Sequence, residues 1–218
     1  NTSYGSAIPG FGSLPPKVMG AKIAATLRRA NGELWFASAS YGIIIRYPNG
    51  TTRLLNSDNT PFLRDNYVCT LFEDHRHRVW IGERSGLAVA VNARQGQHLS
   101  LSADGQPITR CDVRGITEDH KGTIWVSTDD EGIIAIDGNV SPAMAASHCI
   151  QFSPRQGTMA VNEVTACLED HKHRLWAVSP SGGLFLYDNV QNCFVDKNRT
   201  FDIHGDQAYA IAEDKRGN

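Results

Sequence analysis

Thr117-Glu-Asp-His-Lys-Gly-Thr-Ile-Trp-Val-Ser-Thr-Asp-Asp-Glu-Gly-Ile-Ile-Ala-Ile-Asp137 is one of several near copies in this chain. Glu73-Asp74 leads to Val79-Trp80-Ile81 and then Gly86-Leu87, and Glu169-Asp170 leads to Leu175-Trp176-Ala177 and then Gly183-Leu184. Asn31-Gly32-Glu33-Leu34-Trp35-Phe36 leads to Gly42-Ile43. The four tryptophans, Trp35, Trp80, Trp125 and Trp176, are spaced by 45, 45 and 51 residues, and each of the last three follows an Asp by six positions. A period in this range marks a repeat architecture.

Each copy offers four short strand candidates, a to d. They are Lys22–Leu27, Leu34–Ala37, Ile43–Tyr47 and Thr52–Leu55 in the first copy, and Val68–Glu73, Val79–Gly82, Leu87–Val91 and Gln97–Leu101 in the second. The third gives Val113–Glu118, Thr123–Ser127, Ile133–Ile136 and Cys149–Phe152, and the fourth Val164–Glu169, Leu175–Val178, Leu184–Tyr187 and Cys193–Val195. These runs are β-branched or aromatic and bounded by Gly, Asn and Asp. Ala21–Arg29 has helix-compatible composition, but its alignment with the other a segments overrides that. Four-stranded units of this length, apolar on both faces, must stack on neighbouring sheets, which is the logic of a β-propeller. The expected fold is all-β: a β-propeller fragment of about four four-stranded blades plus the first strand of a fifth (about Gln207–Glu213), an open arc. Expected boundaries are 17–58, 59–103, 104–155 and 156–200, a partial copy at 201–218, and at 1–16 a Gly/Ser/Pro-rich arm or the end of a preceding blade.

Three residues before each Trp stand Gly32, His77, Gly122 and His173, and Gly217 holds the matching place in the fifth copy. Gly and His at one place predict a positive-φ residue in the a–b turn. The preceding Asp is placed to accept hydrogen bonds from the turn's amides.

The composition is that of a globular chain, 41% apolar and 20% charged, and a formal charge of −2 argues against a general nucleic-acid binder, which shows a basic face. No apolar run approaches the roughly 18–20 residues of a membrane span. Five cysteines without C-x-x-C spacing signal neither a complete disulfide framework nor a zinc site.

The phrases Glu-Asp-x-x-x-x-φ-Trp and Gly-φ-φ-φ-φ-Asp (φ apolar), preceded in the second copy by Leu63-Arg-Asp-Asn-Tyr-Val68, resemble the two-component regulator propeller repeat over about residues 14–218. The resemblance implies the extracytoplasmic, periplasmic sensor region of a membrane-bound histidine kinase or hybrid regulator, carbohydrate-responsive, homodimeric at full length, and packed against further blades of the same chain. Asn31-Gly-Glu-Leu-Trp-Phe36 also resembles the repeat of streptogramin lyase-type propellers, which are metal-dependent enzymes.

The Glu-Asp pairs at 73–74, 118–119, 169–170 and 213–214 resemble catalytic dyads, but a group repeated in every copy serves the copy, so a structural task is expected. His75-x-His77 and His171-x-His173 have the look of metal ligands. Alternate residues of a tight turn need not converge, however, and the second His of each pair stands where sister copies have Gly. No metal and no cofactor is therefore expected, and His120 reads as an exposed turn residue. Cys69 and Cys167 have no general base in register.

Function is expected where the copies differ, in the b–c and d–a loops. The b–c loops are Ser38-Ala-Ser-Tyr41, Glu83-Arg-Ser85, Thr128-Asp-Asp-Glu131 and Ser179-Pro-Ser-Gly182, and the d–a loops hold Arg64, Arg110, Arg155 and Arg199. Tyr41, Arg64, Arg84, Arg110, Asp129 and Asp130 are the expected ligand-binding set, suited to a small molecule such as an oligosaccharide through bidentate hydrogen bonds and ring stacking. No catalytic residue is expected. The competing readings are a metal-dependent lyase, which needs a His/Glu cluster near the axis on the loop face, and a protein-interaction platform, which needs no polar pocket.

Overall fold

The computed structural model describes residues 18, 20–109, 111–203 and 207–217. The expected arm at 1–16 lies outside them. Four four-stranded antiparallel sheets follow one another, each with its strands in chain order. They are β1 Ile23–Arg28, β2 Leu34–Ser38, β3 Gly42–Arg46 and β4 Thr52–Leu55, then β5 Val68–Glu73, β6 Val79–Glu83, β7 Gly86–Asn92 and β8 Gln95–Leu99. A hairpin, β9 Ser102–Ala103 and β10 Gln106–Pro107, precedes β11 Val113–Glu118, β12 Thr123–Thr128, β13 Ile133–Asp137 and β14 Ile150–Phe152. The last sheet is β15 Ala166–Glu169, β16 Leu175–Ser179, β17 Gly183–Asp188 and β18 Cys193–Asp196. Two compact units divide the chain: Asn1–Arg84 with Ala88–His98, and Ser85–Leu87 with Leu99–Asn218.

In the first unit Trp35 is fully buried, in a cluster with Ile43, Ile45 and Leu55 of its own sheet and Leu71, Val79 and Ile81 of the next. In the second, Trp125 meets the edge of Tyr187 at 5.2 Å and lies 5.7 Å from Phe152. Trp35 and Trp125 thus each belong to one sheet and are covered by the following one. Burying ~150–250 Å² of ring at ~25 cal/mol per Å² contributes about 4–6 kcal/mol gross.

The turn geometry follows the repeat. His77 and His173 have φ of 60° and 57°, and Gly32, Gly122 and Gly217 have φ of 86°, 82° and 80°. Glycine opens strand c for a second reason. At Gly132 (φ 77°) a Cβ would overlap the Phe152 carbonyl oxygen, and at Gly42 (φ 85°) that of Leu55. Their amides donate to Asn162 O and Asn66 O, both at 2.8 Å, tying strand c to the loop that leads into the next sheet.

Three local features depart from expectation. Strand β8 starts two residues early because Asn92 Oδ1 accepts the amides of Arg94 and Gln95, which closes the β7–β8 turn tightly. The freed residues form the β9–β10 hairpin around Asp104-Gly105, both at positive φ, a two-residue hairpin turn. The 51-residue Trp125–Trp176 spacing reflects an insertion between β13 and β14 that carries α1, Pro142–Ala146. Residues 207–213 run as an extended segment without a ladder partner, although Ala208 N–H donates to Ser179 O at 2.9 Å and the Asp214–Gly217 turn is closed. In the other copies strand a pairs with strand b of its own sheet, and no such partner exists for this segment among the described residues.

Candidate functional site

The a–b turns form one end of each sheet, and their carboxylates are fully employed. Asp74 Oδ1 accepts the amides of Arg76 and Arg78, and Oδ2 accepts the Arg78 guanidinium at 2.6 Å and the Trp80 indole at 2.8 Å. Asp119 and Asp170 repeat this on Trp125 and Trp176, each at 2.9 Å. The first copy inverts the charges. Arg29 stands where the others have Asp, Glu33 stands where Arg78 and Arg174 stand, and Glu33 Oε2 takes both the Trp35 indole (2.8 Å) and Arg29 (3.2 Å). Three of the four paired glutamates reach the preceding sheet: Glu73 accepts Ala30 N–H at 2.9 Å, Glu169 accepts His120 N–H at 2.7 Å, and Glu213 accepts His171 N–H at 3.0 Å. The repeated Glu-Asp pairs are therefore turn and inter-blade fasteners.

Asp170 illustrates the energetics. Burial works against its charge, but the Trp176 indole, the Arg174 amide and guanidinium and the Lys172 amide outweigh it and hold the carboxyl well below the usual range. A depressed folded pKa gives stability that is complete above the unfolded value of about 3.9 and lost as pH falls below it. Trp176→Phe removes one donor and is expected to move the acid-unfolding midpoint, followed by circular dichroism, to higher pH. An unchanged midpoint would mean that the indole bond does not sustain the ionised form.

The b–c and d–a loops lie at the opposite end of each sheet. In the first unit Tyr41 does not offer a free ring: it packs on a small cluster with Val18, Ile44, Phe36 and Leu54. Arg64 is exposed, and Arg84 lies with its guanidinium carbon 5.7 Å from the Tyr67 ring centre. Glu83, which the sequence places in a loop, is fully buried at the end of β6, and its Oε1 accepts the amides of Arg64 and Asp65. Its counterparts Ser38, Thr128 and Ser179 are small hydroxyls that cap their own b–c turns.

In the second unit Asp129 is held by Arg114 at 2.7 Å, and Asp130 accepts the Asp112 amide at 3.3 Å. Arg110 lies outside the described residues. Beside these loops opens a polar cavity of about 290 Å³, walled by Asp104, Gln106, Pro107, Ile108 and Thr109 on one side and Glu131, Gln151, Arg155 and Gln156 on the other. Gln151 donates to Glu131 O (3.0 Å) and Oε2 (2.7 Å), Gln156 donates to Gln151 Oε1 (3.2 Å), and Ser153 hydrogen-bonds Gln156 Oε1. This relay fixes which amide atoms face the cavity, while Arg155 is exposed at the rim. Only Glu131 and Arg155 of this lining lie among the loop residues read from the sequence. Asp104-Gly105 carried a hairpin signal that would have located one wall, whereas Gln151 and Gln156 carried none.

The five cysteines are free thiols. Burial, and after it Asp130 and Glu131, push the Cys111 thiol far up. Burial raises Cys149, and lifts Cys167 to about 12. None of these three is a thiolate nucleophile at neutral pH.

Residues 108–130 match the two component regulator propeller family model. The chain is 30% identical over 168 residues to Histidine kinase P4 of Formosa agariphila, an alignment that covers 73% of this chain and 12% of that protein. The extracellular domain of a protein described as a one component system of B. thetaiotaomicron superposes with a TM-score of 0.75 at 16% identity, over 90% of this chain and 28% of that one. The corresponding domain of a hybrid two component system from the same organism gives 0.64 at 18%, over 90% and 25%. Virginiamycin B lyase of Staphylococcus aureus gives 0.62 at 15%, over 84% and 56%, a likeness of fold. No helix among the described residues is long and apolar enough to cross a membrane. The four successive four-stranded sheets with their indole-locked turns are propeller blades, and residues 108–130 of the third match the two component regulator propeller repeat.

Proposed function

We propose that this run of blades is the ligand-reading part of an extracytoplasmic sensor, without catalysis of its own, and that it takes a sugar-class ligand in the cavity at the loop end of the third blade. The observation that carries this reading is the lining: oriented amides and carboxylates beside an exposed guanidinium, which suit hydroxyl and acidic groups of a sugar. The cavity approaches the smaller end of ligand-site volumes, about 300 Å³. Among its described lining residues there is no histidine or cysteine, which favours binding over the lyase reading. Arg64 and Arg84 are kept in the proposal as exposed cations of the second blade, while Tyr41, Asp129 and Asp130 act by positioning loops. Periplasmic location, homodimerisation, further blades and a kinase output belong to the same proposal for the full-length protein.

The test is calorimetric titration of the 218-residue chain with neutral and acidic oligosaccharides. Arg155→Ala and Gln151→Ala are each expected to weaken a bound saccharide about tenfold or more, roughly 1.4 kcal/mol. Arg155→Ala should leave the melting temperature unchanged because the side chain is exposed. Saccharide binding that survives both substitutions removes the cavity from the proposal. Absence of any saccharide binding alongside saturable binding of a protein partner replaces the sensor reading with an interaction platform.

A further inference from the structure

We infer that His120, Glu169 and His173 form a binding site for one divalent transition-metal ion of the zinc type, clamping the third blade to the fourth. The three residues come from different places: His120 from the β11–β12 turn, Glu169 from the end of β15, and His173 from the β15–β16 turn. Their potential ligand atoms all lie within 4.8 Å of one another. The two imidazoles lean together at a centroid distance of 4.1 Å. Both direct Nδ1 at the same carboxylate oxygen, Glu169 Oε1, with His120 in hydrogen-bond contact and His173 at 3.6 Å. Glu169 is anchored through its other oxygen, which holds the His120 amide at 2.7 Å.

Zinc takes His nitrogen and carboxylate oxygen at about 2.0–2.2 Å, which spaces donor atoms roughly 3.3 Å apart in a tetrahedron. The imidazoles of His120 and His173 are 39% and 60% exposed and can rotate to close that gap, whereas the carboxylate is held. A cavity of about 180 Å³ opens beside the three residues and leaves room for a water as fourth ligand. Two imidazoles and one carboxylate favour zinc, nickel or copper over calcium or magnesium.

The chain supplies its own controls. The same three places hold Ala30, Glu73 and His77 at the step from the first copy to the second, and His171, Glu213 and Gly217 at the step from the fourth to the fifth. By sequence register the remaining step holds His75, Glu118 and Gly122. Only the step from the third to the fourth copy carries three ligand types. The His-x-His pairs visible in the sequence are thus split, since His171 goes with Glu213 while His173 goes with Glu169.

Chelator-treated 218-residue chain is titrated with zinc chloride by calorimetry and melted with and without the metal. One ion is expected per chain, with a rise in melting temperature of about 5–10 °C at a free zinc concentration 100-fold above Kd. His173→Gly restores the residue that sister copies use at a positive φ, so it should melt no lower than the parent without metal. It should nevertheless bind zinc at least tenfold more weakly. His120→Ala, which copies the first blade, should weaken zinc equally, and the double variant His75→Ala/His171→Ala should leave Kd unchanged. Absence of saturable one-to-one binding overturns the assignment, in which case the three side chains are a metal-free ionic contact. So does a Kd unmoved in both His173→Gly and His120→Ala, or one abolished in the His75/His171 double variant.

Discussion

Replacing Asp74 by alanine is expected to destabilise the chain by about 3–5 kcal/mol, the loss seen when one partner of a buried, hydrogen-bonded ion pair is removed. The side chain has no solvent exposure and accepts four hydrogen bonds, two from turn amides, one from the Arg78 guanidinium and one from the Trp80 indole. Its removal leaves the indole N–H buried and unpaired on a fully buried ring, and takes away the carboxylate that pairs with the largely buried Arg78 guanidinium. It also takes away the acceptor that keeps His77 in its left-handed conformation, because the amides on either side of His77 both donate to Asp74 Oδ1. Asp74→Asn should cost less, because its Oδ1 still accepts the turn amides and only the charge of the Asp74–Arg78 pair is lost. The check is denaturant or thermal unfolding of the three proteins under one set of conditions. Equal stability of the alanine variant and the parent would show that the lock contributes nothing net.

Reversing the charge at Arg29 is expected to have an effect of similar size, and a second substitution should recover part of it. Arg29 is buried to 5% exposure, donates to Glu33 (3.2 Å) and Glu73 (3.2 Å), and reaches His77 O at 2.7 Å in the neighbouring blade. Arg29→Asp alone sets a carboxylate among two others and is expected to cost at least about 3 kcal/mol. Adding Glu33→Arg recreates the Asp-and-Arg arrangement of the second and fourth blades, with the aspartate free to accept the Trp35 indole. A coupling of about 0.5–3 kcal/mol between the two substitutions is expected from the double-mutant cycle. Recovery should stay incomplete, since an aspartate cannot reproduce the bonds from Arg29 to His77 O and Glu73. Additive effects of the two substitutions would show that the inverted lock is not an interchangeable version of the usual one.

Much of the blade is legible in the sequence. Strand order, the placement of each indole and the positive-φ residue of each turn depend on neighbours within a few positions, and the copies average out accidents in any one of them. The Trp35 turn shows the limit of that reading. Its Gly32 was recognised, but the exchange of Arg29 and Glu33 for Asp and Arg becomes meaningful only when both are seen against one indole. Strand β8 and the β9–β10 hairpin slipped for a different reason: the Asn92 side chain closes a turn that the apolar pattern alone would have placed later.

The amino-acid order by itself determined that this chain makes four-stranded sheets, because short β-branched and aromatic runs, turn residues and a periodic tryptophan are short-range properties. Only the tertiary structure decided that Glu73, Glu169 and Glu213 fasten one blade to the one before, that Gln151 and Gln156 orient a cavity wall, and that His120 and His173 share one carboxylate. Those meetings join residues up to some 50 positions apart, and no local pattern says which edge of one sheet the next sheet will cover.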